Sequence, residues 1–298
     1  MLAVALTLLL LAAPRPGSAA TIDVSAATLW RAPGLARTID APALANPVDL
    51  DGWNRNLATT ASRAWLDSRV VTQALYGERV TVLAVRGGWA RVAVGDQPTP
   101  LDGSGYPGWL PVRQLSGPFP TAQPQRVVLS RTAVLHLRRR PLRLSYGTRL
   151  PVTGRNARGD WLVRTPDGPG WIARGSLGQA PAPKGSSIVA AAKRFVGLRY
   201  LWGGVSAWGF DCSGLVWDVF RAHGVAVPRD TGPQSHGGRR VPAGGLRPGD
   251  LVFYGSPATH VAIAAGHGMV IESPDSAHSL RLVPLRPGFT SVRRYTSG

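Results

Sequence analysis

The chain has 298 residues, with 34 Lys and Arg against 16 Asp and Glu, for a formal net charge of +18. At roughly 100 to 200 residues per domain it is too long for one small module. A hydrophobic content of 44% with ten Trp excludes a globally disordered chain.

Only Lys184 and Lys193 are lysines, so Arg carries the charge and holds it at any accessible pH. The arginines are scattered, and the longest run, Arg138-Arg139-Arg140, stops at Pro141. Such scatter suits an anionic cell-envelope surface as well as it suits nucleic acid, and solubility explains it equally.

Leu2 to Ala13 is apolar apart from Thr7. It is too short for a membrane span of roughly 20 residues but fits the h-region of a secretory leader. Pro14 to Gly17 breaks the run, and Ser18-Ala19-Ala20 supplies small residues for cleavage. We expect a leader over residues 1–20, a mature chain from near Thr21, secretion to the envelope and no stable membrane span. Export leaves nucleic acid without a role as substrate. An exported chain with one cysteine, Cys212, forms no internal disulfide and no Cys-cluster metal site.

Two Pro-containing stretches, Ser116–Gln125 and Gly178–Ser187, read as linkers. The segments before them form a weak internal repeat. Gly77-Glu78-Arg79-Val80-Thr81-Val82 matches Gly147-Thr148-Arg149-Leu150-Pro151-Val152, and Gly88-Trp89 matches Asp160-Trp161. Pro107-Gly108-Trp109-Leu110 matches Pro169-Gly170-Trp171-Ile172. Each copy predicts short alternating strands in a small antiparallel barrel whose Trp residues fill the interior or line a groove. This pattern resembles bacterial SH3-like domains, over residues 21–118 and 124–179. Leu50 to Leu75, with Trp53, Leu57, Trp65 and Leu66 among helix formers, predicts a helical insertion in the first copy.

The pattern changes after Ser187. Ile188–Val196 has helical spacing, with Ser186 or Ser187 as N-cap, and Tyr200-Leu201-Trp202-Gly203-Gly204 is a loop. Ser213–His223 predicts a helix with Leu215, Val216, Val219 and Phe220 on one face and Gly224 as its stop. Leu251–Tyr254, His260–Ala265 and Met269–Ser273 predict strands, the last two paired across Gly266-His267-Gly268. Helices followed by an antiparallel sheet make an α+β unit over residues 184–298.

At a helix start, unpaired backbone N–H groups and the dipole favour a thiolate at Cys212. A thiolate enzyme also needs a base and a group that orients it. In a hairpin centred on His267, Ala262 faces Glu272, so His260 and Glu272 are diagonal neighbours on one face, roughly 7 Å apart at the backbone. A carboxylate spans that gap to an imidazole.

Five segments occur in order: Tyr200–Gly204, Phe210-Asp211-Cys212-Ser213-Gly214-Leu215, Pro228-Arg229, Leu246-Arg247-Pro248-Gly249-Asp250-Leu251-Val252-Phe253 and His260-Val261-Ala262-Ile263. Together they resemble an NlpC-type papain-like cell-wall peptidase domain. With the two SH3-like units the mature chain is similar to bacterial γ-D-glutamyl-diamino-acid endopeptidases.

The resemblance implies Cys212 as nucleophile, His260 as base, Glu272 as third member where His is usual, and Tyr200 at the oxyanion with the Cys212 N–H. It implies stem-peptide contacts at Asp211, Ser213 and Trp202. Asp211 would take the amino group of an N-terminal L-Ala, with Tyr106 as the aromatic partner. Where an acidic partner is expected, before Thr72-Gln73, the chain has Val71. The implied activity is cysteine endopeptidase cleavage of the γ-D-glutamyl bond to meso-diaminopimelate or Lys in peptidoglycan stem peptides, by a monomer without metal or cofactor. The alternatives are a papain-like amidase or acyltransferase, and a non-enzymatic wall-binding protein.

Overall fold

Alternating strands with Gly or Asp turns build two barrels of one design. In the computed structural model, which describes residues 14–120 and 124–296, the first barrel comprises β1 (Ala19–Ile22), β2 (Ala26–Trp30), β3 (Val70–Leu75), β4 (Arg79–Arg86), β5 (Trp89–Val94), β6 (Tyr106–Pro111) and β7 (Leu115–Ser116). The second comprises β8 (Gln125–Val128), β9 (Thr132–Leu137), β10 (Pro141–Ser145), β11 (Arg149–Arg155), β12 (Trp161–Thr165), β13 (Gly168–Ile172) and β14 (Leu177–Gly178). Their strand orders, β3-β2-β6-β5-β4-β1-β7 and β10-β9-β13-β12-β11-β8-β14, coincide strand for strand. The repeat visible in the turn residues is therefore a repeat of topology.

Aliphatic residues fill both interiors. Ile22, Leu29, Val82, Val92 and Leu110 in the first barrel, and Val128, Leu135, Leu144 and Ile172 in the second, are each 0% exposed. Burial of one such side chain contributes roughly 1.5–3 kcal/mol. The repeat tryptophans Trp89, Trp109, Trp161 and Trp171 are only half-buried, so they flank the barrels rather than fill them.

Two expectations are corrected in detail. The insertion between β2 and β3 is helical, with α1 (Ala41–Leu44), α2 (Leu50–Asn56) and α3 (Thr60–Ala64), but it stops before Val70. The β-branched run Val70-Val71-Thr72 pairs with β2 instead. The helix after the second linker starts at Gly185 with Lys184 as N-cap, not at Ser186 or Ser187. The apolar run Leu2–Ala13 lies outside the described residues, yet the leader boundary expected after Ala20 falls inside β1. Ala19 and Ala20 pair with Thr81 and Val80, and Ala20 is buried, so cleavage there removes half of a barrel strand.

The third unit begins with α4 (Gly185–Lys193), the short hairpin β15 (Val205–Ser206) and β16 (Gly209–Phe210), α5 (Cys212–Ala222) and α6 (Thr231–His236). A sheet follows: β17 (Arg239–Arg240), β18 (Leu251–Tyr254), β19 (His260–Gly266), β20 (Met269–Glu272), β21 (Arg281–Pro284) and β22 (Phe289–Arg294), in the order β17-β22-β18-β19-β20-β21. Period-two alternation divides its strands. Leu251, Phe253, Val261, Ile263 and Ile271 join the core with Leu215, Val216, Val219 and Phe220 of α5. Val252, Tyr254, Ala262, Ala264 and Val270 form a second cluster on the other face.

Candidate active site

The helix that presents Cys212 is fixed at its first turn. Asp211 is the N-cap, its Oδ1 accepting the Gly214 N–H at 2.6 Å, and Cys212 is the first helical residue. A Cβ on Gly214 would stand 2.0 Å from the Gly204 carbonyl oxygen, so only glycine lets this turn lie against the preceding loop. Cys212 is half-buried and opens into a cleft of about 740 Å³. The Thr231 hydroxyl at the start of α6 lies 3.5 Å from its sulfur.

A carboxylate beside a prospective thiolate would oppose its ionisation, but Asp211 is neutralised from behind. Buried Arg229 donates to both its oxygens, NH1 to Oδ1 at 3.1 Å and NH2 to Oδ2 at 2.7 Å. It also donates to the Ser213 hydroxyl at 2.9 Å and, through Nε, to Thr72 of β3 at 2.9 Å. Asp211 and Ser213 line the cleft, yet their polar atoms are committed to this network. Asp211 thus faces the cleft with its carboxylate already paired to Arg229.

Asp230 is a further carboxylate of the cleft wall. It lines the cleft and accepts from the Tyr106 hydroxyl at 3.2 Å, a contact between the peptidase unit and β6 of the first barrel. Burial raises its pKa, against the lowering effect of Arg229 and the Tyr106 hydrogen bond. Burial and then the charge of Asp230 push Tyr106 well above the usual phenol range. Sequence reading missed Asp230; its only signal was its place next to Arg229.

His260 and Glu272 meet as the hairpin register implies. Ile263 pairs with Ile271, with a bulge between Ala264 and Gly266 and His267 at φ +52° in the turn. Imidazole Nε2 lies 2.7 Å from Glu272 Oε2. Burial lowers the pKa of His260, but hydrogen bonds and charge from Cys212 and Glu272 outweigh it and raise the value to about 9. Burial likewise raises Glu272, and hydrogen bonds from His260 and Arg281 with the charges of His260 and Arg286 overcome it, holding the carboxyl at about 2. The resulting state is carboxylate beside imidazolium.

Tyr200 is buried in the wall of the cleft, its pKa driven up first by desolvation and then by the charges of Asp211 and Cys212. Trp202 lines the same space and donates through Nε1 to the Val70 carbonyl at 3.0 Å. Val71 also faces the cleft. Of the expected site residues, Cys212, His260, Tyr200, Asp211, Ser213 and Trp202 line this one cleft; Glu272 lies behind His260, and Tyr106 reaches the cleft through Asp230.

The cleft reverses the charge of the molecule. Its lining includes Asp67, Asp211, Asp230 and Asp275 and, among the described residues, no Arg or Lys. The scattered arginines are therefore no guide to what enters the site. Among the described residues there is no group of His, Cys, Asp and Glu able to hold a metal ion, and no helix long and apolar enough to cross a membrane.

Comparison with known proteins agrees with this architecture. The NlpC/P60 family matches residues 197–295, and the bacterial dipeptidyl-peptidase Sh3 domain matches residues 63–115. The chain is 38% identical over 305 residues to a Bacillus cereus protein named gamma-D-glutamyl-L-lysine dipeptidyl-peptidase, across 93% of this chain and 91% of that one. A Bacillus subtilis protein of the same name is 34% identical over 277 residues, across 89% and 93%. The crystal structure of a Bacillus cereus NlpC/P60 family protein superposes with a TM-score of 0.89 at 37% identity, covering 94% of this chain and 100% of that one. With both barrels and the peptidase unit matched along nearly their whole length, the chain belongs to the NlpC/P60 family of cell-wall peptidases.

Proposed function

We propose that this chain hydrolyses the γ-D-glutamyl bond to the diamino acid of peptidoglycan stem peptides, with Cys212 as nucleophile, His260 as acid and base, and Glu272 as its orienting carboxylate. The thiolate adds to the carbonyl carbon, and the Cys212 backbone N–H and Tyr200 hydroxyl receive the developing oxyanion. His260 protonates the leaving amine as the C–N bond breaks, leaving a thioester. It then takes a proton from the water that releases the acyl group. The observation that carries this reading is the 2.7 Å His260–Glu272 contact beside a cysteine at the first position of a helix.

The acidic cleft supports a substrate with ammonium groups: the free amine of an N-terminal L-Ala and the second amine of the diamino acid. Asp230 with Tyr106 suits the former, since Asp211 is occupied by Arg229. Val71 supplies an apolar wall, not a second carboxylate. The names of the Bacillus relatives point to release of a dipeptide and to lysine. In this reading the chain is exported by its apolar first residues and acts as a monomer at the cell envelope.

The test is mass spectrometry of defined muropeptides treated with wild type and Cys212→Ala, with and without an acetylated L-Ala amine. We expect cleavage between D-Glu and the diamino acid by wild type only, and strong preference for the free amine. Unchanged cleavage by Cys212→Ala overturns the mechanism. Amine-captured product in place of hydrolysed product turns the assignment to an acyltransferase.

A further inference from the structure

An orienting carboxylate needs a single hydrogen bond to its imidazole, but Glu272 receives far more. Its side chain is 2% exposed, and every donor around it is a cation or a potential cation. Arg281, its direct cross-strand partner on β21, donates to Oε1 from Nε at 3.0 Å and from NH2 at 2.7 Å. Arg286, from the segment after β21, reaches Oε2 at 3.4 Å, the oxygen that also faces His260. The Arg286 guanidinium lies over the Tyr254 ring, 4.5 Å from its centroid, and Tyr254 on β18 stands 5.8 Å from the His260 ring.

Two consequences follow from charge and geometry. The two Arg281 N–H groups converge on Oε1 and hold that oxygen, which leaves Oε2 toward Nε2 of His260. The positive charge also withdraws part of the negative potential that the imidazole feels. A buried carboxylate with no other partner would hold the imidazolium proton too strongly to release it to a leaving amine.

We propose that Arg281, assisted by Arg286, is a positioning residue for the reaction: it locks the Glu272 carboxylate in register with His260 and keeps the imidazolium acidic enough to protonate the leaving amine. This rests on the assignment of Cys212, His260 and Glu272 given above. The groups facing the Glu272–His260 pair are Cys212 from α5, Tyr254 from β18, Arg281 from β21 and Arg286 beyond it. Asp275, which pairs with His278, also feels the charge of Arg281.

The experiment compares wild type, Arg281→Gln, Arg281→Lys and Arg286→Gln by the pH profile of kcat/KM on a free-amine stem peptide. The same substitutions are placed in a Cys212→Ala background, where the His260 imidazole is titrated by NMR. We expect Arg281→Gln to lower kcat about tenfold and to move both the alkaline limb and the His260 midpoint upward by about half to one pH unit. Arg281→Lys keeps the charge but not the fork, so kcat falls while the limb stays near the wild-type position. Arg286→Gln shifts the limb in the same direction by less, and its 50% exposed side chain makes it the variant least prone to misfold.

A wild-type limb and an unshifted His260 midpoint in Arg281→Gln overturn the proposal. Hydrolysis that survives Cys212→Ala overturns the catalytic assignment instead, and the NMR midpoint still reports whether Arg281 tunes His260.

Discussion

Asp211 joins the reactive residue to a neighbouring domain: it caps the helix that begins at Cys212 and forms a two-point ion pair with Arg229, whose Nε holds Thr72 of the first barrel. One buried cation thereby neutralises the carboxylate next to the thiol, fixes the first turn of α5 and ties the peptidase unit to the barrel wall.

Arg229→Met should therefore destabilise the chain by about 3–5 kcal/mol, because it strands the buried Asp211 charge rather than removing a surface pair. Urea unfolding reads the loss, and a change under about 1 kcal/mol would refute this role. The double variant Arg229→Met/Asp211→Asn should recover part of the stability.

Gly214→Ala should cost about 1–3 kcal/mol and a larger share of activity. The added methyl meets the Gly204 carbonyl, and the backbone that must yield carries Cys212 two residues upstream. Unfolding midpoints together with kcat separate the two effects; activity that falls no further than stability argues against displacement of the nucleophile.

The alkaline limb of kcat/KM should lie near pH 9. The imidazolium of His260 is held up to about 9, and the leaving amine needs its proton, so activity declines as pH rises through that value. Glu272→Gln removes the negative partner and moves the limb toward lower pH. Its loss of activity should be at least about tenfold smaller than that of Cys212→Ala, as an orienter is less critical than a nucleophile. Stopped assays across pH 5 to about 10 measure both effects.

Asp230→Asn should raise KM for free-amine stem peptides about 10- to 100-fold, the worth of one hydrogen bond to a charged group, with little change for peptides whose amine is blocked. Equal effects on both substrates would take the amine contact away from Asp230.

For the stability of the site itself, the sign is set by Glu272. Its carboxyl is lowered from 4.5 to about 2, so its contribution is present above about pH 4.5 and is lost as pH falls through about 2. Acid unfolding followed by tryptophan fluorescence should begin at higher pH in Arg281→Gln, because the carboxylate has lost a partner that lowers its pKa.

Much of this protein is local information. Turn glycines and alternating apolar residues reveal both barrels and their repeat, since a strand states its two faces within a few residues. The hairpin about His267 is equally local, and its register alone puts His260 beside Glu272. The helix start at Cys212 is visible from the residues around it. Val70–Leu75 reads locally as part of a helical segment because its partner, β2, lies some forty residues earlier, beyond any local window.

What the tertiary structure decided is charge. Sequence shows +18 and an acid next to the cysteine, which suggests an anionic partner and a free Asp211. Folding keeps arginine out of the cleft lining among the described residues, pairs Asp211 with Arg229, and sets Asp230 in the cleft beside a tyrosine 124 residues away. Whether a carboxylate is paired depends on what packs against it in space, and Coulomb energy over a few ångströms of buried protein is not a property that neighbouring letters in a chain can express.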